Sequence, residues 1–159
     1  GLSLEDIKNK IETFIPKIKS IGMALTSPMV PTTGKYSFDI DDNEMEIGIG
    51  IHGEKGLHRE TIQPVDIIIE RLLDELLKEV KNQSLMVMVN GMGGTPLSEL
   101  NIVTKYLNQQ FQDHEIEVKQ WFVGDYMTSL DMQGFSITVV PYSEELEKGL
   151  LASTTSRYF

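Results

Sequence analysis

Leu85-Met86-Val87-Met88-Val89-Asn90-Gly91-Met92-Gly93-Gly94-Thr95-Pro96-Leu97 decides the fold class. The continuous apolar run Leu85–Val89 is the pattern of a central strand covered on both faces. Asn90 to Gly94 forms a glycine loop. Thr95 is expected to cap, and Pro96 to open, a helix with Leu97, Leu100, Val103 and Leu107 on its apolar side. Upstream, Pro64 opens a long helix carrying Val65, Ile68, Leu72, Leu73, Leu76 and Val80 on one face. Downstream, Ile116 to Val123 and Phe135 to Val140 read as strands, and Ser143 to Leu150 as a short helix.

Nearer the N-terminus, Ser3 and Asp6 have the spacing of a capping box, with Asp in place of Glu. Leu4, Ile7, Ile11, Phe14, Ile15 and Ile18 then follow at helical spacing, and Pro16 is expected to kink or split that helix. Ile21 to Ser27 reads as a strand, and Pro28 to Gly34 as a loop. Tyr36 to Ile40 and Met45 to Ile51 read as a hairpin turned at Asp41-Asp42-Asn43, with Gly53 to Gln63 a loop after it. Strands alternate with helices. The class is therefore α/β: a mixed sheet flanked by helices, one domain over residues 1–159, with a leading helix up to residue 20 and a loose tail over 152–159.

Composition narrows the function. The chain has 159 residues, 40% hydrophobic and 24% charged, enough for one core. With no cysteine, disulfides, thiolate metal sites and cysteine nucleophiles are excluded, which fits a reducing, cytoplasmic setting. A formal net charge of −10 argues against nucleic acid and anionic membrane as partners. No apolar run approaches the ~20 residues of a membrane span. The chain starts at Gly1 with neither a methionine nor a signal-peptide pattern, as expected of a processed product or a fragment.

The most unusual segment is Glu46-Ile47-Gly48-Ile49-Gly50-Ile51-His52-Gly53. Read as a strand, it places Ile47, Ile49 and Ile51 on one face and Gly48, Gly50 and His52 on the other. Two glycines on one face leave room for a close approach by a ligand or another backbone. His52, at the strand's end, is either a nucleophile, acid–base group or ligand, or a histidine satisfied by a backbone carbonyl. His58 sits in a polar loop, and His52 with His58 lacks a third ligand at diagnostic metal spacing. His114 reads as a solvated loop residue.

The loop Gly91–Pro96 follows a strand and opens a helix, as phosphate sites do, but it lacks the P-loop ending and the dinucleotide spacing, which favours a plain turn. Asp39, Asp41 and Asn43 begin like a calcium loop, which then fails at Glu44 and Gly50. Asn82-Gln83-Ser84 is a glycosylation sequon only if the chain is secreted. The polar loop Gly124–Ser129 permits a binding role without demanding one, and Trp121 reads as core.

Four segments in order carry a family resemblance: Gly22–Ser27 with Val30-Pro31 and Gly34-Lys35, Glu44–Glu54, Asn90–Leu100, and Gly124–Ile137. Together they resemble the substrate-binding K subunit of dihydroxyacetone (glycerone) kinases, in its C-terminal domain. Pro28 after Ser27, and Lys55 and His58 after Glu54, depart from the family pattern. The resemblance implies the second of two α/β domains. Its Gly-Ile-His-Gly histidine, matched by His52, anchors dihydroxyacetone covalently as a hemiaminal through Nε2. It also implies that the other substrate residues, including a general base, lie in an N-terminal domain. Nucleotide and magnesium would then sit on a partner L subunit or domain, with none bound by this chain, which alone is expected to be inactive. The phosphoryl donor is either ATP or a phosphotransferase-system relay, and the family suggests a homodimer. A sensor that binds the ketone without phosphorylating it is the alternative, and a domain used for dimerisation a third.

Overall fold

The computed structural model describes residues 2–52, 54–80 and 84–155; of Glu79 it describes only the backbone. Helix α1 (Leu4–Phe14) starts at the expected capping box, the Ser3 hydroxyl accepting from the Asp6 N–H and the Asp6 carboxylate accepting from the Ser3 N–H. Pro16 does split the leading helix: a single 3-10 turn (Ile15–Lys17) ends it, and the chain is already strand at Lys19.

A six-stranded mixed sheet follows. Its strands are β1 (Lys19–Ala24), β4 (Glu44–Ile47), β5 (His58–Thr61), β6 (Leu85–Gly91), β7 (Val118–Gly124) and β8 (Gly134–Pro141), in the order β5-β4-β1-β8-β6-β7. Among the described strands of this sheet only β6 and β7 pair in parallel, and α3 (Leu97–Asp113) joins them, because parallel neighbours need a crossover. The other two helices are α2 (Val65–Leu76) and α4 (Glu144–Leu150). A separate two-stranded ladder pairs β2 (Met29–Val30) with β3 (Lys35–Tyr36).

The expected hairpin is not the one formed. Residues 37–43 are irregular, and β4 pairs instead with β5, inside the stretch expected to be loop. Segment 28–34, also expected as loop, contributes β2. The tail is irregular over 152–155, while residues 156–159, like the sequon's Asn82 and Gln83, lie outside the described residues.

Alternation along the strands divides the sheet's faces. Met23, Ile47, Leu85, Val87, Val89, Ile137 and Val139 point to one side, where Ile69, Leu72 and Leu73 of α2 and Leu100, Leu107 and Phe111 of α3 complete the main core. Trp121 is half-buried against this cluster, its ring 6.0 Å from that of Phe111. The opposite face is covered less evenly. Met86 is buried, but Met88, Ser20, Asn90, Ser136 and Thr138 line an open groove of about 640 Å³.

At one end of the sheet a smaller apolar cluster forms from Ala24, Ile49, Met92 and Met132. It draws together the loops after β4, after β6 and before β8. Helix α1 buries no residue: Leu4, Ile7, Ile11, Ile15 and Ile18 form an exposed apolar stripe. No helix among the described residues is long and apolar enough to cross a membrane.

Candidate functional site

The site is the loop between β4 and β5, and Gly48 creates it. Its φ of +81° is a left-handed value that side chains resist, and its N–H still donates to the Gly22 carbonyl at 2.7 Å. The chain therefore leaves the sheet there, and the expected alternation stops. Ile47 joins the main core, whereas Ile49 joins the small cluster and Ile51 packs against it. The three isoleucines do not share a face, and His52 sits in a turn rather than at a strand's end.

Two ties hold the loop. On its return the Leu57 N–H donates to the Ile47 carbonyl at 2.7 Å. Glu46, only 4% exposed, accepts from the Gly56 N–H at 2.7 Å and from Arg59 Nε at 3.0 Å. A buried carboxylate needs such donors, and here they bridge the loop's root.

At the loop's tip the His52 ring is 80% exposed. Its partner is not a backbone carbonyl. Glu54 reaches back along the turn and accepts from the His52 N–H through Oε2 at 3.1 Å, while its Oε1 lies 3.2 Å from His52 Nδ1. The Glu54 carboxylate lies over Gly50, where a methyl group would overlap it. Its own backbone N–H, and then the ring and N–H of His52, hold the Glu54 carboxyl below the usual glutamate range against an opposing effect of desolvation. An ionised carboxylate only accepts, so this contact is a hydrogen bond in the tautomer that carries the ring hydrogen on Nδ1, which leaves the Nε2 lone pair free. The large groove ends at Gly50 and Ile51, short of the ring.

The other sequence candidates fall elsewhere. His58 begins β5, with Nε2 3.5 Å from Glu60 Oε1, and His114 Nδ1 lies 2.8 Å from the Gln110 carbonyl at the end of α3. No cluster of three or more His, Asp or Glu able to hold a metal occurs among the described residues. Asp41 forms the acidic turn, its carbonyl accepting from the Glu44 N–H.

Thr95 does not cap α3, whose N-cap is Pro96 with no side-chain bond. Instead its hydroxyl both donates to the Gly134 carbonyl and accepts from the Gly134 N–H, at 2.8 Å each. The N–H groups of Met92 and Gly94 donate to the Gly134 and Met132 carbonyls.

Sequence reasoning passed over Asn90. Only 4% exposed, it accepts from the Tyr126 and Met127 N–H groups at 2.9 Å and donates to the Met127 carbonyl at 2.8 Å, fixing the Gly124–Ser129 loop beside the groove. Its one signal was a polar residue directly after a wholly apolar strand.

The chain matches the Dak1 domain over residues 1–158. It is 35% identical, over 162 residues, to the dihydroxyacetone-binding subunit of PTS-dependent dihydroxyacetone kinase 2 of Listeria innocua, covering 100% of this chain and 49% of that protein. Among solved structures it superposes on a dihydroxyacetone kinase operon co-activator with a TM-score of 0.81 at 30% identity, covering 94% of this chain and 47% of the other. On the dihydroxyacetone kinase of C. freundii the TM-score is 0.80 at 28% identity, covering 96% and 28%. The chain thus spans about half the length of the curated subunit it matches. It belongs to the Dak1 domain family, in the form carried by the dihydroxyacetone-binding subunits of dihydroxyacetone kinases.

Proposed function

We propose that this chain is the substrate-binding part of a dihydroxyacetone kinase, with His52 holding the ketone covalently as a hemiaminal for phosphoryl transfer from a partner. The observation that carries the reading is the exposed His52 ring, with Nδ1 engaged by Glu54 and Nε2 turned free. A neutral imidazole with a free nitrogen lone pair attacks an electrophilic carbonyl. Glycerol, with no carbonyl, would not be held. The bond also fixes the terminal hydroxyl for transfer.

The ring's exposure supports a pocket completed by another domain, the N-terminal one of the same subunit, which would bring the general base. The exposed stripe of α1 offers that domain, or a second copy in a homodimer, an apolar surface. Nucleotide and magnesium are assigned to a partner L subunit or domain, and this chain alone is inactive. The likeness to a co-activator favours a second reading, a sensor that binds the ketone and passes no phosphate.

The test uses the full-length protein with carbonyl-13C dihydroxyacetone. The ketone carbon is expected to become tetrahedral with the wild type and not with His52→Ala, a substitution at an exposed ring that leaves the core intact. No adduct in the wild type, or one that survives the substitution, overturns the reading. Phosphorylated product on adding a phosphoryl-donor partner then separates kinase from sensor.

A further inference from the structure

We infer that Glu54 is a positioning residue for His52: its carboxylate fixes the ring hydrogen on Nδ1 and thereby makes Nε2 the nucleophile. The inference rests on the reading of His52 as the substrate anchor and extends it to a residue with no role so far.

Two contacts from one carboxylate carry it. Oε2 accepts from the His52 N–H at 3.1 Å and Oε1 faces Nδ1 at 3.2 Å, so the same group holds the turn and orients the ring. Free histidine places its proton mainly on Nε2, which would mask the nitrogen that has to attack. A hydrogen bond to a charged acceptor is stronger than one to a neutral group and is enough to reverse so small a preference. Histidines whose second nitrogen must stay free are commonly held in this way by carboxylates.

Gly50 supplies an independent observation. The three atoms a Cβ there would meet first all belong to the Glu54 carboxylate, from 2.2 to 3.5 Å. The glycine therefore leaves the space the carboxylate occupies, and an alanine would displace the carboxylate first.

In the addition, the Nε2 lone pair forms the N–C bond as the carbonyl π pair moves onto oxygen. That oxygen takes a proton from water. The ring, now cationic, still has its Nδ1 hydrogen against the carboxylate, which stabilises the charge as it forms. Loss of the Nδ1 proton to solvent completes a net addition of N–H across C=O.

The test is the ring 15N spectrum of the full-length protein, neutral at His52, read beside formation of the 13C adduct. The wild type is expected to show a protonated Nδ1 and an unprotonated Nε2. Glu54→Ala and Gly50→Ala should both shift the population toward Nε2–H and weaken the adduct about 10–100-fold, as loss of a supporting group typically does. Glu54→Gln, whose amide oxygen still accepts, should fall between.

An Nε2–H tautomer in the wild type, or a tautomer and adduct unchanged in Glu54→Ala, overturns the inference and leaves His52 as anchor. The expected Glu54-dependent tautomer with no adduct in the wild type supports the positioning role and overturns the anchor instead.

Discussion

The two glycine-rich loops look alike in sequence and are built in opposite ways. In the loop after β6, a Cβ on Gly93 or Gly94 would meet the Leu130 or Asp131 carbonyl oxygen at 2.6 Å, so backbone lies on backbone. In the loop after β4, Gly48 faces mainly the Leu57 side chain, with the Leu57 backbone nitrogen at 3.0 Å, and Gly50 the Glu54 carboxylate, while Gly56, at the return, meets the Ile47 carbonyl oxygen and the Glu46 side chain. The first use of glycine closes a loop into the scaffold. The second leaves a space for movable side chains, and there the His52 ring stands in solvent.

Gly93→Ala gives the largest effect expected from this contrast. Its φ of +96° and the close Leu130 oxygen combine left-handed strain with overpacking. A loss of about 2–5 kcal/mol is expected in urea unfolding. Gly50→Ala, whose nearest contacts are the end of a flexible side chain, should cost under about 0.5 kcal/mol while displacing the Glu54 carboxylate. Equal losses at the two positions would break the comparison.

The loop after β4 has its own fixed point in Glu46. Removing this buried carboxylate leaves the Gly56 N–H and the Arg59 guanidinium without their acceptor. Breaking a buried pair costs about 3–5 kcal/mol, but Arg59 is 41% exposed and can be rehydrated. Glu46→Ala should therefore cost about 2–3 kcal/mol, with amide exchange at Gly56 and Leu57 accelerating before that of the central strands. Uniform acceleration across the sheet would show that this loop is not a separate unit.

The helices and central strands were legible because burial writes itself into apolar spacing, as in Leu85–Val89 and Ile68–Leu76. The β4–β5 pairing was not. His58-Arg59-Glu60-Thr61 is a polar edge strand with no apolar alternation, and an edge needs charge more than apolar content. Phe38 suggested a strand but instead packs on the small cluster, its N–H bonded to the Ser27 hydroxyl. His52 stands out as a candidate by the glycines around it. Glu54 could not be placed, because a chain that turns at Gly48 brings residue 54 back over residue 50, and strand alternation carries no such information.

The smallest expected effect is the acid sensitivity of the His52–Glu54 clamp. The Glu54 carboxyl is held below the usual glutamate range, so the turn it closes is fully supported above that range. Support is lost as pH falls through the lowered folded-state value. Amide exchange at His52, corrected for its intrinsic pH dependence, should lose protection only at pH values where Glu54 takes up a proton. In Glu54→Gln that protection should be weaker and flat with pH. Loss of protection at pH values where Glu54 stays ionised would mean that its carboxylate does not hold the turn, reducing the double contact to a single one.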